Sequence, residues 1–171
     1  MQEGKFLEVV QHMLSTFKKN PKKYTPENIE HIDMKFGKGL DNICPNCRYD
    51  VKFNRENNRS LPLFEEFKSY NSETWSKIAN DKGFIKQFES YLQEVDEIKD
   101  LAYVINSNKA NINDVKQAFK ELFKRNSDEI LKFMNPKLKE SLGIINPNDK
   151  VRLEKLINDT NSALYNFIKS Q

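Results

Sequence analysis

Cys44-Pro45-Asn46-Cys47 is the stretch whose residue types suggest chemistry rather than packing, and it holds both cysteines of the 171-residue chain. A tight turn there would aim two thiols at one point. Three states use that geometry. As thiolates the pair supplies half of a structural zinc site, which takes four ligands. No second cysteine pair exists, so the other two ligands would be His12 and His31, the only histidines. Asp33, Asp41 or Asp50 could replace a histidine, as could ligands from a second chain. Arg48 follows the second cysteine where zinc knuckles often carry glycine.

The second state is a redox pair. That chemistry wants the first cysteine at a helix N-terminus, where the dipole lowers its pKa, in a βαβ setting. Gly37-Lys38-Gly39-Leu40-Asp41-Asn42 precedes the motif instead of an apolar strand, which argues against a thioredoxin-like fold. A local disulfide or two plain thiols in a turn complete the alternatives.

The elements that carry the histidines decide whether they can reach the turn. Phe6, Leu7, Val10, Met13, Leu14 and Phe17 recur at helical spacing and predict a helix over Lys5 to Lys19. At about 100° per residue His12 falls opposite that stripe. Thr25-Pro26-Glu27 is a capped helix start, predicting a second helix over Pro26 to Lys35 with His31 opposite Ile29, Ile32 and Phe36. Each histidine stands four residues after an acid, Glu8 or Glu27, the spacing of an exposed ion pair. Both are therefore expected in solvent, away from a metal. A cysteine–histidine nucleophile would require one of them to turn inward.

Two basic groups could contact phosphate or nucleic acid. Lys18, Lys19, Lys22 and Lys23 surround the turn after the first helix. Lys116, Lys120 and Lys124 form a stripe at every fourth position of a later helix. A solvated turn and a face turned to neighbouring acids are the plainer readings. The acids in question are Glu89, Asp96, Glu97 and Asp100, with no Glu-x-x-His spacing that would suggest a metal pair. Net charge is only +3, and all of the excess lies in residues 1–59, with 11 Lys/Arg against 8 Asp/Glu. Such a surplus permits nucleic-acid binding without requiring it.

Charged residues make up 31% and apolar residues 37%, with 12 Phe, 6 Tyr and only 5 Gly. That profile predicts a folded, mostly helical chain. Leu101-Ala102-Tyr103-Val104-Ile105 is the longest apolar run, far short of the roughly 20 residues that span a membrane. It reads as the end of a long central helix over Phe84 to Ile105. Further helices are predicted over Pro62–Tyr70, from Ser72, after Asn113, from Ser127, over Pro136–Leu142, and over Asp149–Lys169. Tyr49, Val51 and Phe53 alternate with polar residues as a short strand would. No Gly-rich phosphate loop, G-x-S-x-G, H-E-x-x-H or calcium loop occurs.

The expected fold is all-α: a helical bundle of about six to eight helices over residues 60–171, with an irregular cysteine-bearing subdomain over residues 1–59. The expected function is that of a non-enzymatic structural or protein-interaction protein, such as a viral or microbial assembly component or an inhibitor. It would work with a protein partner or as a homo-oligomer, without a cofactor or with one zinc ion. The alternatives are a nucleic-acid-binding module shaped by metal at Cys44 and Cys47, and a thiol redox protein. No charged-then-apolar leader opens the chain, so a cytoplasmic or host-intracellular setting, including a viral particle, is expected. Lys outnumbers Arg 23 to 5 and Asn occurs 20 times, a composition that reads as an AT-rich genome.

Overall fold

The structure, a computed structural model, describes residues 2–32 and 49–171. Among them a five-stranded mixed sheet runs between helices, so the fold is α/β and the all-α bundle is overturned. The first helix is α1 (Gln2–Lys19), followed by strands β1 (Ile29–Ile32), β2 (Val51–Phe53) and β3 (Phe64–Lys68). Then come α2 (Ser72–Trp75), α3 (Lys82–Glu94), β4 (Leu101–Ile105), α4 (Ile112–Arg125) and α5 (Ser127–Phe133). The chain continues through α6 (Pro136–Ser141) and α7 (Asp149–Asn158) to β5 (Ile168–Ser170).

The spatial order of the strands is their chain order, β1-β2-β3-β4-β5. The first two pairings are antiparallel, and β3–β4 and β4–β5 are parallel. The register sets Phe64 against Leu101 and Tyr103 against Ile168. One sheet thus crosses the boundary expected at residue 59, because β2 pairs with β3.

Side chains alternate across this sheet as strand geometry requires. Phe64, Leu101, Tyr103, Ile105 and Ile168 face a large core filled from α2 to α7. Phe67, Val104, Val51 and Phe53 face a smaller core closed by Met13 of α1. Both faces of β4 are covered, so all five of its residues are buried. A strand buried on both sides has no polar alternation. That is why Leu101–Ile105 resembles the tail of a helix in sequence, while the chain leaves α3 at Val95, extended at φ −83°, ψ 143°.

Aromatic side chains join the layers. The Phe119 ring meets Phe167 edge-on at 4.8 Å between centroids and lies 5.1 Å from Phe88. The entrance to β5 is thereby locked to α3 and α4. Such pairs add about 0.5–1.5 kcal/mol each beyond the area they bury.

Several helix ends follow local chemistry. Asn111 accepts from the Asp114 N–H and caps α4, Asn135 caps α6, and Pro136 occupies its first turn. Gly143 takes φ +74° directly after α6, a conformation suited to glycine.

Candidate functional site

Because β3, β4 and β5 are parallel, their carboxyl ends open at one edge of the sheet. In open α/β sheets such edges are where ligands are received. Here α1 lies across the edge and leaves a polar crevice of about 220 Å³.

One wall is a stripe of α1: Glu8, His12, Ser15 and Lys19, spaced by four, three and four residues. His12 is only 6% exposed. Its Nε2 lies 3.0 Å from the Val104 carbonyl oxygen, which can only accept, so Nε2 carries the proton. Its ring stands edge-on to Phe67 at 5.3 Å. Burial pushes the imidazole pKa down; the Val104 contact opposes this and the Lys19 charge adds to it. The ring is thus held neutral with Nδ1 unprotonated. Thr16, buried beside it, donates to the His12 carbonyl oxygen at 2.8 Å.

The other wall is built by the strand ends. Ser69, 7% exposed, accepts from Asn106 Nδ2 at 3.0 Å. Asn106 also organises the turn after β4, where its Oδ1 accepts from the Asn108 N–H and its carbonyl oxygen from the Lys109 N–H. Lys109 reaches back to Glu8 at 2.7 Å and ties the turn to α1. Gln171 after β5 completes the wall, its carbonyl oxygen accepting from Ser107 at 2.9 Å. Lys19 has no acidic partner among the described residues.

Of the candidate metal and phosphate contacts named from the sequence, only His12 and Lys19 line this crevice. Cys44 and Cys47 lie outside the described residues, as do Asp33 and Asp41. The expected solvent position of His12 is corrected. The buried arc of α1 is centred on Val9, Met13 and Thr16, and Leu7 and Leu14 are 58% and 52% exposed. The face is rotated by roughly 80° from the apolar stripe, at about 100° per residue.

His31 also departs from expectation, because it is not on a helix. It sits on β1 opposite Lys52, with its ring 6.3 Å from Tyr49. β1 and β4 are three strand spacings apart, about 14 Å, so the two histidines cannot share one ion. Among the described residues no group of three or more His, Cys, Asp or Glu converges as a metal site.

The lysines also separate. Lys18, Lys19, Lys22 and Lys23 lie in or just after α1, on the small-core side, while Lys116, Lys120 and Lys124 ride on α4 behind the large core. Lys120 approaches the Asn158 carbonyl oxygen at 3.5 Å. Lys23 is internal in role: it meets the fully buried Glu65 at 2.7 Å, and Tyr24 donates to the same carboxylate at 2.8 Å. Burial still holds the Glu65 pKa above its ordinary range, with Lys23 and Tyr24 opposing.

On the other face Glu66 accepts from Tyr91 Oη at 2.6 Å and pairs with Lys68 at 3.2 Å. The Lys68 ammonium lies over the Tyr70 and Phe84 rings. Burial alone would lower its pKa, but the charge of Glu66 keeps it above the ordinary lysine range. Sequence reasoning missed these groups because Phe64-Glu65-Glu66-Phe67-Lys68 looks like an exposed helix turn.

No protein-family model matches the chain, and no curated protein or solved structure matches it either.

Proposed function

We propose that the protein is a non-enzymatic interaction protein that acts by binding, with the crevice at the carboxyl ends of β3, β4 and β5 as its recognition feature. The observation that carries this reading is the commitment of the ionisable groups to internal partners. His12 spends its N–H on Val104, Glu65 is held by Lys23 and Tyr24, and Glu66 by Tyr91 and Lys68. What is left in the crevice is a preformed polar surface that offers hydrogen-bond donors and acceptors on rigid elements. That suits orientation and retention of a ligand. The test is stoichiometry against turnover. The full chain is incubated with a small-molecule extract of the producing cells and followed by mass spectrometry. Retained compounds should be recovered unchanged, at no more than one equivalent per chain. Consumption of many equivalents of any compound would sink the reading.

A second reading, association with a second copy of the chain, is favoured by Leu7 and Leu14. They lie two helical turns apart on the solvent side of α1. Antiparallel pairing of two α1 helices would seat Leu7 of each on Leu14 of the other, the self-complementarity a two-fold contact demands. Light scattering should then give a dimer that Leu7→Ser with Leu14→Ser reduces to a monomer. A wild-type monomer at high concentration would remove this reading.

A further inference from the structure

We infer that the crevice takes a small oxyanion, the carboxylate or phosphate group of a small molecule. This rests on the binding reading above and adds the ligand class.

Charge gives the first reason. Two ammonium groups, Lys19 and Lys109, stand in the crevice wall against one side-chain carboxylate, Glu8. Glu8 is matched by Lys109 at 2.7 Å, which leaves Lys19 as the positive side chain without an acidic partner among the described residues. Bonds from an ammonium to an anionic oxygen are about twice as strong as neutral ones.

The hydroxyl inventory gives the second. Ser69 Oγ already accepts from Asn106, so its own proton is the part left to offer a ligand. Ser15 adds another hydroxyl on the α1 stripe. Ser69 is 93% buried by the complement of its 7% exposure, and it sits on a strand end, so its donor is fixed in place rather than searching for a partner.

His12 adds nothing to that attraction. An imidazole whose N–H is spent on Val104 offers the anion neither a charge nor a donor. The anion is therefore held by Lys19 and hydroxyls, and the histidine stiffens the wall beside it. The crevice is small, about 220 Å³. It falls below the ~300 Å³ at which pockets for drug-sized ligands begin.

The test is an amide NMR titration of the full chain at constant ionic strength in chloride, using inorganic phosphate, acetate and glycerol. Phosphate, acetate or both should give saturable shifts at Ser15, Lys19, Ser69 and Asn106 to Lys109, and the two arms identify the preferred group. Lys19→Gln should weaken that binding at least tenfold while leaving spectral dispersion intact. Lys116→Gln, on α4, should leave it unchanged. Equal binding by the Lys19→Gln variant would overturn the inference. Saturable shifts with glycerol but not with either anion would overturn the ligand class and leave the crevice as a binding site. Silence of the crevice to all three would overturn the ligand class and count against the crevice as well.

Discussion

His12 Nε2 donates to the Val104 carbonyl oxygen at 3.0 Å, across 92 positions of sequence. The bond fixes α1 to β4 near its carboxyl end and aligns the α1 stripe with the strand ends. Because the imidazole is buried, its protonation is a folding event, and its sign can be worked out. Its folded pKa lies below the unfolded value of about 6.5. Between the two values the unfolded chain binds a proton that the folded chain does not. Stability from this group is therefore constant above about pH 6.5 and falls as pH drops toward the folded pKa. Denaturant midpoints from pH 8 to 5 should show this fall, and the difference curve against His12→Gln should isolate it. A difference curve flat through that window would contradict the burial of His12.

Lys23 should matter far more than Lys22. Lys23→Met leaves the Glu65 carboxylate buried with only Tyr24 as partner. Lys23 is itself about a third exposed, so the cost should be roughly 2–3 kcal/mol, below the ~3–5 of a fully buried pair. Lys22→Met should stay within about 0.5 kcal/mol. Urea unfolding of both variants checks this, and equal effects would refute the internal role.

The rotated face of α1 makes a paired prediction. Met13 is 1% exposed and Leu14 52% exposed. Met13→Ala should cost about 2–5 kcal/mol, as large-to-small core changes do. Leu14→Ala should cost no more than about 0.5 kcal/mol in the monomer. Comparable costs at the two positions in thermal unfolding would restore the face expected from apolar spacing, which holds both.

Under the helical layer, Glu66 holds Tyr91 and Lys68. Lys68→Met takes the cation away from a buried carboxylate that keeps Tyr91, and should cost about 3–5 kcal/mol. Tyr91→Phe removes one hydrogen bond to a charged group and should cost about 1.5–3 kcal/mol. Chemical denaturation should preserve that ranking.

The helices with one wet face were legible in the chain. α1 was legible as a helix though not in the face it buries, the inward stripe of α4 from Val115 to Phe123 matches the structure, and α5, α6 and α7 begin where the sequence places them. The strands β3 and β4 were hidden by burial on two sides. Phe64 and Phe67 are three apart, the spacing of one helical face, yet they enter opposite cores of the sheet. Ile168 closes an apparent helical stripe with Leu164 and Phe167, but belongs to an edge strand. At the crevice, the sequence revealed His12 and Lys19 as chemistry-bearing residues. It could not bring them to Ser69 and Asn106, because that meeting depends on parallel pairing between segments far apart in the chain.

The agreement of chain order and strand order has a consequence for assembly. Each strand docks beside the one made before it, and none has to be inserted between two already paired. The sheet can therefore be built outward one edge at a time, from either end. Each intermediate needs only one new row of backbone bonds and threads no loop.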